Sequence, residues 1–347
     1  MIGSDSQIRF DVPSPLEAEA LGSSSRRKLA LGMVLYCLLL AVFWSIARFF
    51  NFKPLQGHPI STTLGFALMF APYWLFGFGL ADVLRRLLPT GWVRVLASVL
   101  LTAPYYVLAI SRGEFNWTMA WVMPGIALLI TGALQLSASS LKDGDFQDFL
   151  VLTALGIMVD LRFLHSAWPA GLGGFSKMIL ADVALYGYLV IKPIEGIGYD
   201  LSPTFSDIKF GLRELFFYAP IVLTLGLALG FLHPHAVMPK ILQIPASWIF
   251  TFSFVALPEE LFFRGVVQNL LERKLGRRQA LFLASILFGL SHFNKGNPHG
   301  VFFNWRYVLL ATIAGIFYGR AWRAEKRLFA SSFTHASVDT IWSLWFR

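Results

Sequence analysis

The feature that most limits this chain is a succession of long apolar runs. They fall at 29–50, 62–81, 92–111, 117–137, 149–165, 177–195, 212–232, 246–270, 279–293, 306–321 and 328–346. Polar loops separate them, nearly all shorter than about 15 residues, a length typical of connections rather than domains. In a bilayer each run must be a helix, because no water is present to satisfy an open backbone. The composition excludes the soluble alternative. Of the 347 residues 56% are hydrophobic and only 14% charged, against about 25% charged in an ordinary soluble domain. The expected fold is therefore an all-α polytopic membrane protein with about eleven transmembrane helices.

The formal charge of +9 invites a nucleic-acid reading, but the placement of the cations argues for topology. With the N-terminus in the cytoplasm, most of the 29 Lys and Arg collect on the inner side, loop by loop except around Lys142, as the positive-inside rule requires. No nucleic acid is needed. The clusters Arg273-Lys274-Arg277-Arg278 and Arg320-Arg323-Lys326-Arg327 read as cytoplasmic anchors, with contact to anionic lipid as the second reading. Residues 1–28 are Ser-rich and polar at first and end on Arg26-Arg27-Lys28, which predicts a disordered cytoplasmic tail before a signal anchor. The single cysteine, Cys37, excludes an intramolecular disulfide and a cysteine metal site. Gly226-x-x-x-Gly230 and Gly315-x-x-x-Gly319 have the spacing of close helix packing.

Chemistry enters where lipid makes polar groups expensive. The run 246–270 contains Pro258-Glu259-Glu260-Leu261-Phe262-Phe263-Arg264. Each unpaired charge at a span centre costs about 2.5–3.5 kcal/mol on insertion scales, so these three must pair, face a cavity, or both. Glu260 and Arg264 are four apart on one face, the spacing of a helical ion pair. Glu259 is rotated by about 100° and has no basic partner on its own helix. A carboxylate so placed can serve as a general base, or all three residues can simply tie helices together. Phe288-x-x-x-His292 closes a later run, and the last run holds His335 and Asp339 four apart. Together these supply what is needed to activate a water and stabilise an oxyanion.

The three ordered motifs, Glu259-Glu260-x-x-x-Arg264, Phe288-x-x-x-His292 and His335-x-x-x-Asp339, resemble those of the CPBP or Abi family of intramembrane glutamic proteases, which includes the type II CAAX prenyl endopeptidase. The resemblance covers about residues 245–347. It implies a C-terminal catalytic helix bundle over 240–347, with 29–239 as transmembrane helices without an assigned role. It further implies that Glu259 and His292 polarise the attacking water, and that His335 and Asp339 hold the oxyanion. Asp339 departs from the Asn common there in the prenyl endopeptidase, and a carboxylate has no hydrogen to donate. Either it is held neutral, it orients His335 or a water, or the site binds a cation. No cofactor is expected, although two His and carboxylates are acceptable zinc ligands.

The expected substrate is a membrane-anchored or lipidated peptide or protein, and the expected location is the bacterial plasma membrane. Two other classes stand beside the peptidase. A non-catalytic scaffold or immunity protein is known from the same family, and a transporter is suggested by Asp82 near Arg85, Asp160 near Arg162, and Asp182. One difficulty is internal to this reading. The loop charges put His292 near the outer face, His335 nearer the inner face and Glu259 in mid-membrane, so a helix must tilt, break near Pro258, or end elsewhere than expected.

Overall fold

Every one of the eleven apolar runs folds as helix, and no strand occurs among the described residues. The computed structural model describes residues 15–89, 91–138, 143–235, 238–295 and 303–346. In chain order the helices are α1 (Pro15–Phe49), α2 (Pro59–Phe76), α3 (Leu80–Leu87), α4 (Trp92–Ser111), α5 (Trp117–Ala138), α6 (Phe146–Asp160), α7 (Gly173–Ile191) and α8 (Phe205–Ala228). They continue with α9 (Gln243–Leu275), α10 (Arg277–Leu290), α11 (Trp305–Glu325) and α12 (Leu328–Trp345).

Seven of these are long and apolar enough to cross a membrane: Ser25–Phe49 of α1, then α2, α4, α5, α7, α8 and α9. The chain is an integral membrane protein. The expected count of about eleven spans is not met: four of the eleven apolar runs fold as helices that fall outside these seven. Two fall short in length, α6 at 15 residues and α10 at 14. The other two, α11 and α12, are diluted by Arg306, Arg320, Arg323 and Glu325 and by His335 and Asp339. The expected tail over 1–28 also changes: helix begins at Pro15, while 1–14 lie outside the described residues. The segment Leu16-Glu17-Ala18-Glu19-Ala20-Leu21 consists of strong helix formers, and extending an existing helix avoids the cost of nucleating a new one.

Large aromatics fill the N-terminal core, with Phe70, Tyr73, Phe78 and Tyr105 buried beside Met69. Phe254 of α9 joins that core edge-on to Phe175 of α7 at 5.4 Å and tilted against Phe70 of α2 at 5.4 Å. The C-terminal core of Tyr218, Phe263, Phe288, Phe317 and Tyr318 packs α8, α9, α10 and α11 together.

Gly315 and Gly319 do what their spacing predicts. A Cβ at Gly315 would stand 3.0 Å from Cα of Ser285, and one at Gly319 would stand 2.4 Å from the Leu281 side chain. Helices α10 and α11 touch almost backbone to backbone there. Gly230 does not follow suit. It has φ +60° with open space around it, the left-handed residue that ends α8 rather than a packing position.

Apart from Arg277 and Arg278, the cations of the two basic clusters are paired with acidic partners. Arg320 pairs with Glu214 of α8 at 3.0 Å. Arg323 and Lys326 pair with Glu272 of α9 at 2.8 and 2.5 Å. Arg327 pairs with Asp207 at 2.9 Å, and Arg273 with Asp143 at 2.5 Å. These contacts staple the ends of α8, α9, α11 and α12 into one bundle, a more specific use than general attraction to lipid.

Candidate active site

The site is built on a helix that changes pitch twice. Within α9, Phe252–Ala256 and Leu261–Gln268 are π-helical, and the four residues Leu257–Glu260 between them are α-helical. The Leu257 N–H reaches back to the Phe252 carbonyl, five residues rather than four. The wider turn accommodates Pro258, which lacks an N–H and would otherwise collide with the preceding turn. Such π segments are frequent at functional sites. The helix therefore passes through Pro258 unbroken, which removes one of the three ways out of the depth conflict, and its two extra residues re-aim Glu259 and Glu260.

Glu260 is fully buried and central. One carboxyl oxygen, Oε2, pairs with Nε of Arg264 at 3.1 Å, the i, i+4 pair read from the sequence. The other, Oε1, meets Nδ1 of His335 at 2.9 Å. Arg264 is also fully buried, and its guanidinium lies 4.9 Å from the Phe288 ring centroid, a cation–π arrangement. The Phe of the second motif thus covers the Arg of the first.

His335 is gripped on every side. Tyr318 stacks on it at 4.6 Å and 16°, and Phe288 meets it edge-on at 5.6 Å. With Nδ1 committed to Glu260, Nε2 points between two further carboxylates, Asp339 Oδ2 at 3.5 Å and Glu259 Oε2 at 4.0 Å. Glu259 Oε2 is buried and has no hydrogen-bond partner. A separation of 4.0 Å is too long for a hydrogen bond and short enough for a third oxygen to bridge.

His292 lies just beyond the end of α10, with Nδ1 2.8 Å from the Phe288 carbonyl. A carbonyl only accepts, so Nδ1 carries the hydrogen and Nε2 the lone pair. At 1.5 Å per residue the 14 residues of α10 rise about 21 Å, less than the hydrocarbon thickness of about 30 Å, so α10 is too short to carry His292 from one membrane face to the other. The titratable groups near enough to act on the Glu259 charge are Lys295, His292, His335 and Lys177.

A cavity of about 220 Å³ opens between α8, α11 and α12. His292, His335, Tyr318 and Asp339 are on its wall, and apolar side chains such as Leu215, Val222 and Trp342 form much of the rest; Glu259 is not part of the wall. The six motif residues thus fall into Arg264–Glu260–His335 in direct contact, Glu259 and Asp339 at the free edge of His335, and His292 on the same cavity wall as His335 and Asp339. No three His, Cys, Asp or Glu side chains among the described residues converge as a metal-binding cluster.

Sequence reading missed the π turns, the stacking Tyr318 and the two lysines. Only the Pro next to the paired Glu could have signalled the first.

Asp82 pairs with Arg85, and no ion pair joins Asp160 to Arg162. Of the carboxylates that suggested a transporter, Asp182 alone is buried without a hydrogen-bond partner.

No curated protein and no solved structure matches the chain. Residues 241–341 match the family model described as Type II CAAX prenyl endopeptidase Rce1-like, so the similarity read from the three motifs holds across α9 to α12 as a CAAX-protease-type membrane domain, and the first 240 residues stand outside it.

Proposed function

We propose that α9 to α12 form an intramembrane endopeptidase in which Glu259 and His292 activate a water to hydrolyse a peptide bond of a membrane-anchored or lipidated substrate. The observation that carries this reading is the buried, unbonded Oε2 of Glu259, 4.0 Å from Nε2 of His335.

The water donates one hydrogen to Glu259 and the other to the Nε2 lone pair of His292. Its oxygen attacks the scissile carbonyl carbon as Glu259 takes the proton. The carbonyl oxygen becomes an oxyanion and accepts a hydrogen bond from Nε2–H of His335, whose Nδ1–H is held by Glu260. Fixed donors of this kind need no reorganisation as charge develops. Collapse breaks the C–N bond, and Glu259 returns its proton to the departing amine.

Asp339 has no hydrogen to give as a carboxylate, and its 3.5 Å approach to His335 Nε2 supports the second of its three readings. It holds the imidazole in register and balances its charge while His335 itself donates. Arg264 fixes Glu260, and Phe288 covers the Arg264 guanidinium.

The test is cleavage of a pool of N-acylated pentapeptides by the purified protein in lipid nanodiscs, read by mass spectrometry. Wild type is expected to cleave, with Glu259→Gln and His292→Ala reduced at least a hundredfold, and activity to survive exhaustive chelation. Equal cleavage by Glu259→Gln would overturn the assignment. Loss on chelation with recovery on zinc would replace the metal-free step by a zinc-bound water.

A further inference from the structure

The tyrosines of this chain divide by what their hydroxyls do. Tyr36, Tyr105, Tyr106, Tyr186, Tyr188 and Tyr199, all outside the family match, each donate to a backbone carbonyl. Tyr218 of α8 and Tyr318 of α11 do not. They are only 3% and 1% exposed, and neither hydroxyl has a hydrogen bond among the described residues. The Tyr73 hydroxyl is also unbonded, but it is sealed in the N-terminal core. Tyr218 and Tyr318 instead line the cavity that holds His292, His335 and Asp339.

Their placement is fixed by three helices. Leu215, Tyr218, Ala219 and Val222 line the cavity at spacings of three and four, so they form one face of α8. One turn before Tyr218, Glu214 pairs with Arg320 of α11 at 3.0 Å. Two turns before it, the Gly211 carbonyl accepts from Oγ1 of Thr334 at 3.1 Å, the residue that precedes His335 on α12. The Tyr218 ring is tilted against Phe317 at 5.4 Å and edge-on to Tyr318 at 6.3 Å. Tyr318 in turn stacks on His335 at 4.6 Å. A run of rings thus leads from α8 to the imidazole of the site.

A tyrosine hydroxyl taken out of water ordinarily finds a partner, and one left without it forfeits the hydrogen bond it had with solvent. The wall around these two is largely apolar, so the missing acceptor must come with whatever fills the cavity. An extended peptide brings a carbonyl at every residue, the same acceptor that the six bonded tyrosines use. The site also has room for such donors, because Asp339 as a carboxylate has no hydrogen to give.

We propose that Tyr218 and Tyr318 are substrate-binding residues whose hydroxyls donate to carbonyl oxygens of the peptide in the cavity. The subsite rests on the peptidase reading only for the identification of the occupant as a peptide. It gives the N-terminal region a part in the site, since Tyr218 lies outside the family match at 241–341.

The carbonyl can be that of the scissile bond or a flanking one, and the experiment separates them. The full-length protein in nanodiscs is given N-acylated pentapeptides that carry ¹³C at one backbone carbonyl, a separate peptide for each position. Binding is read from the carbonyl NMR shift on the Glu259→Gln protein, which does not consume the peptide, and cleavage on the protein with Glu259 in place. Tyr218→Phe and Tyr318→Phe keep the rings and remove the hydroxyls. Each is expected to abolish the shift at one labelled carbonyl and to weaken binding about tenfold, with the unfolding temperature unchanged or higher. A fall in kcat at constant KM assigns the hydroxyl to the scissile carbonyl, and a rise in KM alone assigns it to a flanking one. A Phe variant that matches wild type removes its tyrosine from the subsite. The proposal is overturned if both match, if binding falls only in step with unfolding temperature, or if no peptide binds. Cleavage that persists unchanged in both Phe variants keeps the peptidase without the subsite, whereas hydroxyl-dependent binding with no cleavage by wild type keeps the subsite and removes the peptidase.

Discussion

Two carboxylates with buried oxygens, one in each half of this membrane protein, are treated in opposite ways. Asp148 of α6 is fully enclosed and fully used. Its two oxygens accept from Nζ of Lys192 at 2.7 and 2.9 Å, and one accepts the Gly144 N–H at 2.7 Å. Glu259 of α9 is also largely enclosed, yet Oε2 has no hydrogen bond, and the nearest imidazole nitrogen with which it pairs stands 4.0 Å away. A satisfied buried pair fixes helices and has nothing left with which to react. An unsatisfied one retains the lone pairs that proton transfer needs, at a cost in stability the surrounding packing must offset. The comparison separates carboxylates that hold the fold from those that act in it more sharply than burial alone does.

The largest expected effect lies on the acting side. Glu259→Gln keeps the shape and removes the base, so cleavage should fall about a thousandfold, within the range lost with a general base, while the unfolding temperature in detergent stays the same or rises. A large loss of stability instead would place Glu259 with Asp148 and erase the contrast. The next effect lies on the holding side. Asp148→Asn leaves the Lys192 ammonium buried without its counter-charge, and breaking a buried pair costs about 3–5 kcal/mol. Denaturant unfolding should show it, and the double change Asp148→Asn with Lys192→Met should recover most of the loss. Cleavage per folded molecule should be unaffected by either variant.

How much of this is legible in the sequence follows from what each feature depends on. Glu260 with Arg264 and His335 with Asp339 are four apart on single helices, so helical geometry alone puts each pair together, and both pairs form at 3.1 and 3.5 Å. The bond from Glu260 to His335 joins residues 75 positions apart, and no local pattern encodes it. The Asp148–Lys192 pair escaped for the same reason. The π turns of α9 arise from a hydrogen-bond register that composition does not reveal, though Pro258 required some such adjustment. The run 279–293 is short for a span, and α10 indeed stops at Leu290 after 14 residues.

Asp182 tests the comparison from between the two cases. It is fully buried in α7, and neither of its oxygens has a hydrogen-bond partner. Unlike Asp148 it has no cation to leave stranded, and unlike Glu259 it has no histidine beside it. Asp182→Asn should therefore change unfolding by less than about 1 kcal/mol, since no buried charge pair is broken, and should leave cleavage intact. A loss of activity comparable with that of Glu259→Gln would reveal a second acting carboxylate and revive a proton pathway through the N-terminal helices.

The smallest effect concerns a carboxylate that holds from the surface. Asp200, in the loop between α7 and α8, pairs with Lys28 at 2.6 Å and with Arg327 at 3.2 Å, and its Oδ1 accepts from the Ser202 N–H at 2.9 Å. Partial burial alone would raise its proton affinity. The hydrogen bonds from Lys28 and Ser202, with the charges of Lys28 and Arg327, outweigh that and hold the carboxyl below its usual range. A carboxyl whose affinity for a proton is lowered by folding adds stability above its unfolded pKa of about 3.9, and that stability is lost as the pH falls through the folded value. The pair is half-exposed and screened, so Asp200→Asn should cost about 0.5 kcal/mol. The gap between wild type and variant should stay level from pH 7 to about pH 5 and close progressively below about pH 4, as the wild-type carboxyl takes up its proton. A gap that widens on acidification would mean that the Asp200 links oppose the fold, and the division between holding and acting carboxylates would then need a third class.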